Sequence, residues 1–339
     1  MRYPLQDLKR FSPPATLCAL LLIPLSCSVF EPPANPKAIG EVPVFAFPTN
    51  APWARRIPAG APVDPDSSAY VARLVAERAP DSPYAETEND GVAVYYAEAS
   101  TARRFLPIRN QGDRRRGVKS VPLPDWALPN GGTDSHLALI DVSSGLSFEF
   151  WRLVNVRGEW ACGNAALFDL SGDGVNPYIS ARASGFSLLA GVVWPQELQA
   201  GRIPHALALS VPSIRKSGPV SPASYTDGRI DAADALPMGA LLQLDPSLDL
   251  GALGLDSTRM ALFRALQEYG GYVCDTGALS IQFINRRSFS TDPYSGLPAY
   301  DSRTHRFDLN LFPVEKLRVL KLGAPGTNRD GFDHEAWYE

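Results

Sequence analysis

Cysteine and histidine are scarce in this chain, with four of each in 339 residues. Cys18 and Cys27 fall in the first apolar segment, which leaves Cys162 and Cys274 for the rest. So few thiols and imidazoles exclude a zinc-ribbon type of site, which needs a full set of such ligands in close pairs. Cys162 and Cys274 lie in apolar, strand-like surroundings, and both a bridge in an oxidising compartment and a pair of buried thiols fit them. Long apolar runs are also missing, since nothing after the first segment approaches the roughly 20 residues of a spanning helix. Positive charge is not in excess, with 32 Lys and Arg against 36 Asp and Glu, so there is no basic field for a nucleic acid. No Gly-x-Ser-x-Gly, phosphate-binding loop, Gly-x-Gly-x-x-Gly or His-Glu-x-x-His occurs. Those absences remove the nucleophile-elbow, nucleotide-binding and zinc-peptidase readings.

What is present begins at the N-terminus. Lys9 and Arg10 precede the apolar run Leu17 to Leu25, which closes on Ser26-Cys27. A run this short followed by small residues is the pattern of an export signal. Leu25-Ser26-Cys27 fits a lipoprotein signal with lipid on Cys27, although Pro24 stands where an aliphatic residue is usual; an ordinary cleaved signal fits as well. The expectation is an exported protein, lipid-anchored to a membrane of the cell envelope or secreted. Residues 1–27 are then the signal. Residues 28–60, with Pro32, Pro33, Pro36, Pro43, Pro48, Pro52 and Pro58, read as an extended tether. Its Ala51-Pro52-Trp53 step is a second possibility for packing onto the domain, because a buried indole contributes substantial apolar area. Residues 61–323 read as one globular domain and 324–339 as a tail whose Phe332, Trp337 and Tyr338 suit docking as well as its Gly/Pro/Asn/Asp content suits disorder.

Within the domain, Asp64-Pro65-Asp66 opens a predicted helix running to about Ala79. Strands are predicted at Val92 to Ala97, His136 to Val142, Ser147 to Val154, Trp160 to Leu170, Phe186 to Val193, His205 to Val211, Gly239 to Leu244, Tyr272 to Asp275 and Ser280 to Asn285. Ser143-Ser144-Gly145 is a hairpin turn signal. Asp256 or Ser257 caps a second helix that Gly270-Gly271 ends, and shorter helices are expected at Pro195 to Ala200 and Pro313 to Leu320. Many strands, few helices and no regular βα alternation predict a mainly β fold, a β-sandwich or jelly roll with a few peripheral helices.

The densest set of chemical groups runs from Asp134-Ser135-His136 to Phe148-Glu149-Phe150-Trp151. In a strand, Glu149 and Trp151 share a face, and a carboxylate beside an indole suits a sugar: the ring stacks and the carboxylate moves a proton. The bland alternative buries the strand on both faces with Glu149 paired to an arginine such as Arg152. His136 and His205 each open a strand, and Asp275 closes one, so convergence of His136, Glu149, His205 and Asp275 would supply acid–base chemistry, with Trp151 and Asp134 contacting substrate. Asp169, Ser171 and Asp173 place oxygens at alternate positions before Gly174, a weak pattern for Ca²⁺ and the only cofactor suggested; Ser180 at the twelfth place excludes an EF-hand, and a tight turn is the simpler reading. Arg103, Arg104, Arg109, Arg114, Arg115, Arg116 and Lys119 read as a solvated loop or as a contact for an anionic group.

Several segments share an order that resembles a family of exported, single-domain bacterial proteins: Trp53 with Pro62-Val63-Asp64-Pro65, Asp134-Ser135-His136-Leu137, Phe148-Glu149-Phe150-Trp151, Ala183-Ser184-Gly185-Phe186, Gly201-Arg202-Ile203-Pro204-His205, Pro237-Met238-Gly239-Ala240 and Ala265-Leu266-Gln267-Glu268-Tyr269-Gly270. The resemblance spans about Trp53 to Asp275. It implies export and a single domain, and carries no catalytic residue with it. The expected function is an extracytoplasmic carbohydrate-active protein, a polysaccharide hydrolase or lyase, with a glycan and an envelope membrane as partners and no nucleic acid. The alternative is a non-catalytic glycan-binding or structural envelope lipoprotein.

Overall fold

Short runs rich in aliphatic and aromatic residues, bounded by Gly, Pro, Ser and Asp, become strands throughout a computed structural model that describes residues 41–110, 115–178, 180–326 and 334–339. The signal (1–27), the lipidation site Cys27, residues 28–40, Arg114 and residues 327–333 lie outside the described residues. In chain order the strands are β1 (Tyr84–Glu86), β2 (Ala93–Tyr96), β3 (Arg104–Pro107), β4 (Gly117–Val121), β5 (Leu137–Asp141), β6 (Leu146–Trp151), β7 (Val154–Val156) and β8 (Glu159–Ala161). They continue as β9 (Asn164–Asp169), β10 (Leu207–Val211), β11 (Leu241–Leu244), β12 (Gly271–Thr276), β13 (Ser280–Ile281), β14 (Tyr300–Asp301), β15 (Arg306–Asp308) and β16 (Leu317–Val319). The α-helices are α1 (Ser67–Glu77), α2 (Pro195–Gln199) and α3 (Ser257–Glu268). The domain is mainly β and sandwich-like. A large sheet has the order β14-β15-β1-β13-β10-β12-β11-β16, a second has the order β2-β5-β6-β9, and β3-β4 and β7-β8 form small ladders.

Alternation assigns the faces of the second sheet. Ala93, Tyr95, Leu137, Leu139, Phe148 and Phe150 enter one buried cluster, while Val94, Ala138 and Ile140 enter another with Leu188, Leu189 and Trp194. Helix α3 begins where the Asp256 carboxylate accepts the Arg259 N–H at 2.9 Å and ends before Gly270, whose φ of 77° suits glycine.

Three segments depart from the sequence reading. Over its described part, the 28–60 tether is a strap on the domain. Trp53 is buried against Phe186 and Tyr272 with ring centroids 4.9 Å away in each case, and its carbonyl accepts the Ala206 N–H. Phe186 to Val193 is buried but is not a strand. Its carbonyls at Ser187, Leu188 and Ala190 accept from the Arg182 guanidinium and its Leu188 N–H donates to Glu149, so buried charges replace a ladder. Pro313 to Leu320 holds a short 3-10 turn (Val314–Lys316) followed by β16, which pairs with β11. At the C-terminus, Tyr338 is buried beneath the Arg115 guanidinium at 4.4 Å, and Glu339 exchanges backbone hydrogen bonds with Arg116 and Gly117.

Candidate active site

The loop before β5 and the ends of β1 and β12 enclose a cleft of about 170 Å³. Its lining includes Glu86, Asp90, Asp134, His136, Ser210, Asp275, Ser280 and Gln282, and no Lys or Arg. Of the predicted residues, Asp134, His136 and Asp275 meet here.

Local geometry aims each group. Between β10 and β12 the register slips, so that Leu209 faces Val273 but Ser210 faces Asp275. Cys274 is the extra residue, and such a bulge re-aims the side chain that follows it. The Asp275 carboxylate accepts one neighbouring backbone N–H, that of Thr276 at 2.9 Å. Burial, opposed by the Arg182 charge, pushes its pKa up to about 7.

The 130–136 loop is closed by the Asn130 side chain, whose Oδ1 accepts the His136 N–H, and by the Asn130 N–H, which donates to the His136 carbonyl. Gly131 and Gly132 donate to the carbonyls of Glu88 and Asn89. A Cβ on Gly132 would stand 2.4 Å from the Asn89 carbonyl oxygen, so glycine is what lets the two loops touch. His136 is 6% exposed, and its Nε2 lies 3.2 Å from the Ala181 carbonyl. A carbonyl only accepts, so Nε2 carries the hydrogen and Nδ1 offers its lone pair. Burial pushes this imidazole down to about 4, which keeps it neutral at pH 7. Asp134 sits among the others: its charge acts on Asp90, His136 and Asp275, and its Oδ1 accepts the Trp151 indole N–H at 2.9 Å.

Glu149 is not in the cleft. It is fully buried on β6, where Ser147 and Ser187 donate their hydroxyls at 3.1 and 2.5 Å and the Leu188 N–H donates at 2.6 Å. Burial pushes it up to about 7 against those bonds and against the charge of Arg182, which stands in the role the sequence gave to Arg152. Arg152 instead lies over the Trp151 ring at 4.2 Å. Trp151 therefore positions Asp134 and does not line the cleft as a sugar platform. His205 is elsewhere too. Its Nε2 meets the Glu197 carboxylate and its Nδ1 the Ala206 carbonyl at 2.9 Å. Burial alone would depress its pKa, but the Glu197 bond and charge and the Ala206 carbonyl outweigh burial and raise it. Glu197 in turn accepts the Trp194 N–H at the start of α2, so this pair is a structural cap.

At the calcium pattern, Asp173 accepts the Val175 N–H and the Asp169 carbonyl accepts the Gly172 N–H, while Ser171 is exposed. The segment is a turn. Among the described residues no group of three or more His, Cys, Asp or Glu could hold a metal ion. The arginine-rich stretch divides: Arg103 binds Asp141 at 2.6 Å, Arg104 binds Asp125 at 2.6 Å and Arg115 is buried, while Arg109, Arg116 and Lys119 are exposed. Cys162 and Cys274 are both buried and form no disulfide, and burial pushes the Cys274 thiol up to about 12.

The sequence reading missed Tyr84, Glu86 and Asp90 in the cleft. The acidic run Glu86-Thr87-Glu88-Asn89-Asp90-Gly91, ahead of an apolar strand, was the available signal. Glu86 is tied up by the backbone N–H groups of Glu88, Asn89 and Asp90, and Glu88 by Arg286, Arg287 and His305. Asp90 remains at the rim, raised by burial and by Asp134 against the Tyr84 hydroxyl, 3.4 Å away, and the charge of Arg306. No family model, curated protein or solved structure matches this chain.

Proposed function

We propose that the protein is an extracytoplasmic glycan hydrolase with Asp275 as general acid and Asp134 as the base that takes the proton from water. The observation that carries this reading is Asp275 itself, a carboxyl facing a cleft, pushed up to about 7, with a single backbone donor on one oxygen. Two carboxyls, one to give a proton and one to take it, are what hydrolysis of a glycosidic bond requires. Asp275 gives its proton to the glycosidic oxygen as the bond to the anomeric carbon breaks and the electron pair leaves with that oxygen. A water oxygen attacks the anomeric carbon, and Asp134 takes the proton that this water releases. Neutral His136 accepts a hydrogen bond at Nδ1 and so orients water or a sugar hydroxyl.

The lining favours hydrolysis over elimination. A lyase acts on uronates, whose carboxylates need a nearby cation, and no Lys or Arg lines this cleft. It also disfavours a purely stacking site, because Tyr84 is its one aromatic and Arg306 lies over that ring at 3.9 Å. The sequence pattern of 1–27, read as an export signal with or without lipid on Cys27, supports work outside the cytoplasm on a glycan of the envelope or medium. No described helix is long and apolar enough to cross a membrane.

The test is release of reducing ends from a panel of neutral, acidic and amino-sugar polysaccharides. The expected result is cleavage of at least one polymer, abolished by Asp275→Asn and retained by His205→Gln. Growth of absorbance from unsaturated ends, or cleavage indifferent to Asp275→Asn, would defeat the assignment.

A further inference from the structure

Hydrolysis needs one protonated and one ionised carboxyl, yet this cleft has a third, Asp90, beyond the self-satisfied Glu86. Asp90 and Asp134 lie within range of each other's charge. Among the described residues no Lys or Arg lines the space they share, and the one cation acting on Asp90 is Arg306, which lies over the Tyr84 ring outside the cleft lining, so two like charges face one cleft. A second, independent feature also points to a ligand. Ser280, 9% exposed, lines the cleft with a hydroxyl that has no hydrogen-bond partner among the described residues, and the Nδ1 of buried His136 is likewise without one. Polar atoms of otherwise buried residues that open toward a cleft are groups a hydroxylated ligand can meet. Ser210, also lining, accepts the Gln282 amide at 3.4 Å and keeps its own hydrogen to donate.

We propose that the substrate is a glycan carrying free primary amines, whose ammonium sits between Asp90 and Asp134 while Ser280, Ser210 and His136 meet its hydroxyls. This rests on the hydrolase reading for the identity of the ligand as a sugar. The ammonium supplies the positive charge that the lining lacks and offers donors to two carboxylates. An N-acetylated sugar of the same ring would place a neutral amide there and bring no positive charge to the two carboxylates.

The discriminating experiment measures binding and cleavage of three tetrasaccharides by the purified exported chain at 150 mM salt, roughly physiological strength, where long-range attraction is screened. The probes are β-1,4-linked glucosamine, its N-acetylated form and β-1,4-linked glucose. The expected result is one saturable site that prefers the amine form by about tenfold or more, with Asp90→Asn reducing that preference to within about threefold. Equal or tighter binding of the acetylated or neutral tetramer, or a preference that survives Asp90→Asn, overturns the amine proposal. If such a tetramer is nonetheless cleaved in an Asp275-dependent way, the hydrolase reading stands alone. Amine-selective, Asp90-dependent binding without cleavage upholds the ligand class and removes the hydrolase.

Discussion

Asp275 and Glu149 carry the same pKa perturbation in two different settings. Burial pushes each up to about 7, and Arg182 acts on both. They differ in what their oxygens touch. Glu149 accepts two hydroxyls and a backbone N–H in a site closed to solvent, and two of these groups, the Ser187 hydroxyl and the Leu188 N–H, belong to the Phe186 to Val193 segment. Asp275 accepts one adjacent N–H and faces the cleft. A shifted carboxyl is therefore not yet a catalytic one, because chemistry needs an oxygen still free to meet a substrate. Glu149 uses its charge to organise backbone that has no sheet partner, whereas Asp275 keeps its proton available.

Truncating each residue should separate the two roles most sharply. Glu149→Ala strands the Leu188 N–H and two hydroxyls in a closed site and leaves a cavity there, so it should cost about 3–5 kcal/mol in urea unfolding. Asp275→Asn should cost less than about 1 kcal/mol and lower hydrolysis by about 10²–10⁴-fold, the usual worth of a general acid. A stable Glu149→Ala protein, or an Asp275→Asn protein as damaged as Glu149→Ala, would erase the distinction.

Titration gives the next largest effect, and its sign follows from both groups having raised native values. Below the ordinary carboxyl range both are protonated, folded or not. As pH rises from there toward 7, the unfolded chain releases protons that the native chain retains, so stability falls across that window. For Glu149 the loss amounts to about 3 kcal/mol once pH passes 7. Glu149→Gln keeps the shape, accepts the Leu188 N–H through its carbonyl and donates to the serines. It should flatten the descent without touching catalysis, and an unchanged urea-midpoint profile between acid and neutral pH would place the ionisation elsewhere. The Asp275 contribution should remain in that variant and level off near pH 7, where hydrolysis begins to fall as the native acid gives up its proton.

His205 provides a smaller contrast with His136. Both are buried imidazoles at the mouths of strands, but His205 has acceptors at both ring nitrogens, while His136 has one carbonyl and is kept neutral. His205→Gln should cost about 1–2 kcal/mol with activity intact. Since its native pKa is raised, its contribution is complete below the ordinary histidine value and fades as pH rises through the native one. A variant whose deficit grew toward alkaline pH would contradict the pairing with Glu197.

Local signals made part of this legible in the sequence. The Ser143-Ser144-Gly145 turn joins β5 to β6, with Gly145 at φ 72° and both serines bonded to the Asp141 carboxylate, and the Asp256 cap opens α3. Those devices act within a few residues. The cleft does not: β1 is three residues long and is held by β13 and β15, far along the chain, and the bulge that aims Asp275 exists only once β10 and β12 pair. His136 and Asp275 could be proposed because one opens and the other ends a predicted strand, and Asp134 because it stands two residues before His136. Glu149 looked equally suitable, since alternation gives a face and not what covers it. The Phe186 to Val193 run has the composition of a strand, and only the buried Arg182 and Glu149 reveal where its backbone bonds go.

The smallest effect concerns the residue that links the two regions. Trp151 shares the Glu149 face of β6, yet its indole N–H holds Asp134 at the cleft. Trp151→Phe removes that one bond while keeping much of the ring that packs beneath Arg152. The net worth of such a bond is about 0.5–1.5 kcal/mol, more where the acceptor is charged, so hydrolysis should fall several-fold. The loss belongs in kcat, because Asp134 would keep its charge and lose its orientation. A rise in KM at constant kcat would instead make Trp151 a substrate contact and reopen the sugar-stacking role that Arg152 now argues against. Unchanged kinetics would leave Asp134 positioned by its own loop, where Arg152 N–H donates to its carbonyl at 2.6 Å.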